Sequence, residues 1–358
     1  MRLNLKTFIS ACVLMAASMN ALAGLEEGKA AYAKKNYALA LKEFVPLAAG
    51  ASAEAKNYLG VMYSEGQGVV QDYKEAAKWY RLAAVKGYGA AQSNLGGMYL
   101  KGKGVALDYK EAMKWYRLTA QQGDAAAQFI LGAMYANGQG VTRDDKEAMK
   151  WYLLAADQGN AFAQTNLGVT YANGLGVAQN YKEAVSWYRL AAEQGDADAQ
   201  FNLGLMYDNG HGVAQAYEDA VKWYRLAADQ GQANAQHKLG AIYANGQGVA
   251  QDDKEAVKWY RLAANQGDAA AQSNLGTMYA SGRGVVSNKA VAYALYNLSA
   301  AIDPSPSNKA TGNRQAMALE LSPQMMDAGQ SLTRDMGKPG NVLKALDSYL
   351  KNLHQTNL

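Results

Sequence analysis

Apolar positions in this chain recur at two nested intervals. Leu131, Met134 and Tyr135 stand three and four residues apart, the spacing of one buried helical stripe, which predicts a helix A over about 125–136. Ala112, Trp115, Tyr116 and Thr119 follow the i, i+3, i+4, i+7 rule and predict a helix B with its aromatic pair facing other helices rather than water. Asn137-Gly138-Gln139-Gly140 ends helix A, since glycine at a helix exit takes φ > 0 without steric cost. Helix B opens on a capping signal, Asp72 with Glu75, repeated as Asp108 with Glu111, Asp144 with Glu147, Asn180 with Glu183 and Asp252 with Glu255. In that pattern the cap and the carboxylate three residues on satisfy orphan amides reciprocally.

The larger interval is 36 residues. Leu-Gly recurs at 59/60, 95/96, 131/132, 167/168, 203/204, 239/240 and 275/276, and all six Trp (79, 115, 151, 187, 223, 259) keep the same step, each followed by Tyr. The chain therefore contains seven αα-hairpins over 52–303, divided as 52–87, 88–123, 124–159, 160–195, 196–231, 232–267 and 268–303. One hairpin cannot bury its own apolar face, so the copies must stack, giving an all-α superhelical solenoid. The Trp-Tyr pairs are expected to be the shared core. Residues 24–51 form a degenerate hairpin in which Tyr37 and Phe44 take the places of Tyr73 and Tyr80, expected to cap one end. After the breaker Asp303-Pro304-Ser305-Pro306-Ser307, helices over about 309–320, 322–336 and 342–353 are expected to cap the other, within 304–358.

The residues AQSNLGGMY at 91–99, GKGV at 102–105 and DYKEAMKWYRLTAQQGD at 108–124 resemble the Sel-one-like repeat (SLR) family, relatives of the tetratricopeptide repeats. The likeness runs through all seven copies. It implies an α/α superhelix acting as an adaptor in protein–protein interaction, commonly exported in bacteria. Some cysteine-rich members have been described as β-lactamase-like; this sequence lacks their paired cysteines, so that activity is not carried over.

Composition narrows the chemistry. Residues 1–23 combine a basic start at Arg2 and Lys6, an apolar run from about Phe8 to Met19 and Ala21-Leu22-Ala23, the layout of a secretory signal peptide cleaved near Ala23. A lipobox reading of Ile9-Ser10-Ala11-Cys12 is disfavoured because the hydrophobic run continues past Cys12. An exported chain, periplasmic or secreted, is the expectation, with no membrane span after the signal. Cys12 is the only cysteine, and the formal net charge of +4 includes Arg2 and Lys6, too small an excess to indicate a nucleic-acid protein. Three His, at 211, 237 and 354, leave little for metal work, and His211 and His237 lack partners at ligand spacing, so no metal and no cofactor is expected. Ser348 and Lys351 form a Ser-x-x-Lys without the companion motifs of acyl-serine enzymes.

The expected function is non-catalytic binding of a protein or peptide partner on the concave face of a monomeric solenoid. An envelope hydrolase with its site in the unrepeated tail is one alternative. Another is a polyanion- or lipid-binding surface made by the helix B stripe Lys74, Lys78, Arg81 and its copies Lys110, Lys114, Arg117 and Lys254, Lys258, Arg261. Positions that change between copies should carry specificity. On helix A one such column is Ser93, Phe129, Thr165, Phe201, His237 and Ser273, in which Phe129 and Phe201 are either peptide anchors or fillers between stacked helices. Tyr135, Asn137, Tyr171, Asn173, Tyr207 and Asn209 are expected to line the inner groove and read a peptide backbone.

Overall fold

The computed structural model describes residues 22–356. The expected signal segment therefore lies outside the described residues up to position 21, Cys12 included. Every described element is a helix. A hairpin of α1 (22–33) and α2 (Tyr37–Ala49) precedes seven A/B pairs. These are α3 (Ala53–Glu65) with α4 (Tyr73–Ala84), α5 (Gly89–Lys101) with α6 (Tyr109–Gln121), α7 (Ala125–Asn137) with α8 (Asp145–Asp157), and α9 (Ala161–Asn173) with α10 (Tyr181–Glu193). They continue as α11 (Ala197–Asn209) with α12 (Tyr217–Asp229), α13 (Ala233–Asn245) with α14 (Asp253–Asn265), and α15 (Ala269–Ser281) with α16 (Lys289–Ile302). Three further helices follow: α17 (Ala310–Ala318), α18 (Pro323–Met336) and α19 (Val342–Thr356). The chain divides into two compact units, one reaching Ala163 and including 175–177, the other comprising 164–174 and 178 onward.

Helix B starts where the sequence puts it, by half of the expected mechanism. Asp108 Oδ1 accepts from Lys110 N at 2.9 Å and from Glu111 N at 3.0 Å. The reciprocal bond is replaced: Asp108 N donates to Tyr99 O at 3.1 Å, so its amide is already satisfied by helix A of the same hairpin. Glu111 is left to pair with Lys114 at 3.3 Å.

The core expectation needs a correction. Among the six tryptophans only Trp115 and Trp259 are buried, at 6% and 5% exposure, while Trp79, Trp151, Trp187 and Trp223 are half-buried. The tyrosine after each is buried in every copy: Tyr80, Tyr116, Tyr152, Tyr188, Tyr224 and Tyr260. The reason lies in helix A. The glycine of each Leu-Gly pair presents bare backbone on which that ring lies, and a Cβ on Gly168 or Gly204 would sit 2.4 or 2.7 Å from Cδ1 of Tyr188 or Tyr224. Leu59, Leu95, Leu131, Leu167, Leu203, Leu239 and Leu275 are fully buried beside them. The contact recurs in the N-terminal hairpin, where Phe44 rests on Gly28.

Two further devices set the step between hairpins. The second glycine of each exit loop meets the first turn of the preceding helix B: at Gly104, with φ 71°, a Cβ would lie 2.1 Å from Tyr73 O. Buried glutamines supply the polar link. Gln92 donates to Ala84 O of the preceding helix B at 3.1 Å and accepts from Gln122 at 3.0 Å. The same pair recurs as Gln128 with Gln158, Gln164 with Gln194, Gln200 with Gln230 and Gln236 with Gln266. The series stops at Gln272, whose Oε1 is buried with no hydrogen-bond partner among the described residues, Ile302 standing where the next glutamine would fall. At the other end Lys56 replaces the glutamine and donates to Gly50 O at 2.6 Å.

Gly204→Ala is expected to destabilise the protein by roughly 1–3 kcal/mol, because the new methyl overpacks a ring that has no room to withdraw. Gly312→Ala, where a Cβ meets nothing within 4 Å, is expected to be neutral or to stabilise by up to about 1 kcal/mol. Urea melts of the two variants check the contrast.

Candidate partner-binding site

In the first unit the helix A faces of α3, α5 and α7 form an open groove of about 480 Å³. Its walls include Ser64, Ser93, Asn94, Gly97, Lys101 and Ile130, and the rings of Tyr80 and Tyr116 form part of its lining. Burial pushes the Tyr116 phenol up to about 12, so it stays protonated at neutral pH. Asn94 donates to Asn57 Oδ1 at 3.1 Å across the two helices. The lining thus mixes apolar side chains with polar and charged ones, Glu65, Lys101 and Lys103 among them.

Beyond Ile130 on the same helix, Phe129 is half-buried, with its ring 6.0 Å from Tyr152 and 5.8 Å from Phe162. Phe162 is 62% exposed, and sequence reasoning missed it. The signal was present: its position holds Glu54, Ala90, Ala126, Asp198, Asn234 and Ala270 in the other copies, so Phe162 is the single aromatic of its column.

In the second unit Phe201 lies 5.7 Å from Tyr224 and His237 lies 6.0 Å from Tyr260, so this column rests on the buried tyrosine of its own hairpin. The His237 ring also has Nδ1 3.8 Å from Asp268 and Nε2 3.2 Å from Asn274 Nδ2. Burial lowers the His237 pKa, the nearby Asp268 opposes this and Lys238 adds to it. Thr165 of the same column donates to Asp196 at 3.0 Å.

The other expected residues do not gather around the groove. Arg117 of the preceding helix B donates to the Tyr135 hydroxyl at 2.7 Å, and Arg189 does the same to Tyr207 at 2.9 Å. Neither tyrosine is therefore a free reader of peptide backbone, and Tyr135 is not among the walls of the groove. Tyr171 is half-buried and follows the one copy in which Leu153 replaces that arginine. Asn173 and Asn209 donate to Val169 O and Leu205 O of their own helices, each at 2.9 Å, and Asn137 is exposed at the end of α7. The expected residues are thus spread over both units, Phe129, Tyr135 and Asn137 in the first and the others in the second.

The basic stripe is largely partnered. Lys78 pairs with Glu75 at 2.7 Å, Lys114 with Glu111, Lys222 with Asp219 at 2.9 Å and Lys258 with Glu255 at 3.2 Å. The arginines of the stripe turn to tyrosines of the next helix A, Arg81 to Tyr99 and Arg261 to Tyr279. Among the described residues no group of three or more His, Asp or Glu side chains is placed to hold a metal, and no helix is long and apolar enough to cross a membrane.

A 36-residue αα-hairpin with a Leu-Gly in helix A and a Trp-Tyr in helix B is the Sel1 repeat, whose pattern matches residues 53–88, 89–124, 125–160, 161–196, 197–232, 233–268 and 269–303. The chain belongs to the Sel1 repeat family. A Sel1 repeat protein from Oxalobacter formigenes is 42% identical, with a TM-score of 0.61 over 67% of this chain and 98% of that one. A protective antigen of uropathogenic Escherichia coli strains, also with an SLR fold, is 29% identical over 94% of this chain and 88% of its own, with a TM-score of 0.46. No curated protein matches the sequence. Sel1 repeats are scaffolds that commonly mediate protein–protein interaction, and this chain has seven.

The His237 environment makes stability depend on pH. Its folded-state pKa lies below the ordinary 6.5, so the unfolded chain binds the proton first as pH falls. Stability present above 6.5 is then lost as pH drops through the folded value. His237→Phe, the residue this column carries at 129 and 201, is expected to keep a constant Tm offset from wild type above about pH 7 and to gain on it below about pH 6, checked by thermal melts across that range.

Proposed function

We propose that this Sel1 repeat protein is a non-catalytic adaptor of the cell envelope or secreted fraction. In this reading it binds a peptide segment of a partner protein along the helix A groove of its first repeats. The observation that carries this reading is a division of labour within the repeat. The recurring positions are consumed by the frame, Leu and Gly under the tyrosine ring in every copy and Gln between most hairpins. The recurring Tyr80 and Tyr116 reach the groove, but the Ser64, Ser93 and Lys101 positions and the one shared by Asn94 and Ile130 differ between copies, and variation at such positions can give specificity without weakening the scaffold. Phe162 with Phe129 supplies an apolar anchor on the same unit, the kind of exposed aromatic that dominates binding energy at interfaces. Asn94 and Lys101 then orient the bound segment through its backbone and an acidic group. Export rests on the layout of residues 1–23.

The test is selection of random peptides on the purified full chain, followed by fluorescence anisotropy of the peptides obtained. Phe162→Ala and Lys101→Glu are expected to weaken binding on the order of tenfold each while leaving Tm unchanged, since both side chains are exposed. Failure to select any peptide, or selected peptides indifferent to both substitutions, would overturn the reading.

A further inference from the structure

Helix B carries an apolar ladder that the frame does not use. In the second unit Leu190, Leu226 and Leu262 stand one repeat apart and are 47%, 47% and 37% exposed. The next residue in the series, Leu298 of α16, is only 8% exposed. The difference is made by the C-terminal helices: α18 packs on α16, and α19 returns to pack on α18 and α14. Val342, Ala345 and Leu346 of α19 join Leu295 and Leu298 in one core cluster, with Tyr349 packed against it.

Two polar contacts fix α19 in place. Leu343 N, in its first turn, donates to Asn265 Oδ1 at 3.1 Å, and Asp347 pairs with Arg261, which also keeps its bond to the Tyr279 hydroxyl. Subtracting 36 from these residues leads to Asp229, Arg225 and Tyr243. Those three, with Trp259 and Leu262, line an open groove of about 810 Å³ one repeat earlier. Arg225 holds the Tyr243 hydroxyl as Arg261 holds Tyr279. Arg225 and Asp229 are exposed where Arg261 and Asn265 are half-buried.

We propose that the α12/α14 groove is a second docking site, and that its occupant is an amphipathic α-helix of a partner protein with the chemistry of α19. The site continues an interface that the chain already makes with itself. The occupant must place apolar residues at i, i+3, i+4 and i+7, as Val342, Ala345, Leu346 and Tyr349 do, to pack against Trp259 and Leu262, the counterparts of Leu295 and Leu298. It must carry a carboxylate at i+5, as Asp347 is, for Arg225. Its first-turn amides face Asp229, a carboxylate where α19 meets the neutral Asn265, so the helix N-terminus is favoured more strongly here. This surface is distinct from the helix A groove, and either site can fail without the other.

The probe is a synthetic peptide of residues 339–354, titrated against the full chain with its own α19 in place. Saturable binding is expected, weakened on the order of tenfold by Arg225→Glu and by Leu262→Lys, both changes being on exposed side chains. A peptide carrying Asp347→Lys is expected to recover binding to the Arg225→Glu chain, a rescue that a misfolded variant cannot give. Absence of saturable binding overturns the proposal. So does binding indifferent to Arg225→Glu, which would mean that the peptide merely displaces α19. Sedimentation equilibrium of the chain alone covers the remaining case: a dimer abolished by Arg225→Glu would make a second copy the occupant and overturn the assignment to a partner.

Discussion

The structure rests on an aromatic ring laid against a helix that has lost one side chain. In each hairpin the helix B tyrosine lies on the bare backbone of the Leu-Gly glycine, so close that a Cβ there would stand between 2.4 Å (Gly168) and 3.1 Å (Gly96) from the ring. The ring is rigid and its burial is favourable, so it fixes how near the two helices come and in what register. Everything further out inherits that spacing. The leucine beside the glycine closes the core, and the variable column of helix A, Phe129, Phe201 and His237, rests on the outer edge of the same tyrosine. A surface whose side chains stand on a ring that cannot move is already organised before a partner arrives, which lowers the ordering cost of binding.

Much of this was legible in the chain. The 36-residue step, the two helices, the Asp and Asn caps and the glycine exits follow from periodicity and from the demands of unpaired backbone groups, and the structure has them. What periodicity could not do was separate Trp from Tyr. The two are adjacent and both fall on the apolar arc, and only the position of a glycine on the other helix decides which of them is swallowed. The glutamines were invisible for a similar reason: Gln reads as surface until its partner thirty residues away is known. Tyr135 and Tyr207 looked available because the arginine that holds each lies eighteen residues earlier, on a different helix. Phe162 is the only aromatic in its column, so it carries no periodicity, whereas Phe129 and Phe201 repeat within theirs.

The two faces of the repeat differ in kind. Helix A offers a sequence of unlike residues, so each stretch of its surface is chemically unique. Helix B offers nearly the same residues at each step, Trp, Arg and Leu with a paired Lys and Glu, so neighbouring grooves resemble one another. The C-terminal helix α19 shows how such a groove is filled, by an amphipathic helix held through one arginine and one cap. A variable face is suited to discriminating between guests, and a repetitive face to accepting several alike.

The glutamine series has a consequence for how such an array can lengthen or shorten. Each rung is closed by atoms eight and thirty residues away, so excising one whole copy returns every amide to an equivalent neighbour. Excising any other number would strand a buried donor or acceptor at about 1–3 kcal/mol, whereas a purely oily interface could slip by a residue and re-pack. Hydrogen bonding thereby makes copy number an integer, and it lets evolution change the reach of the molecule by recombination without renegotiating its interior.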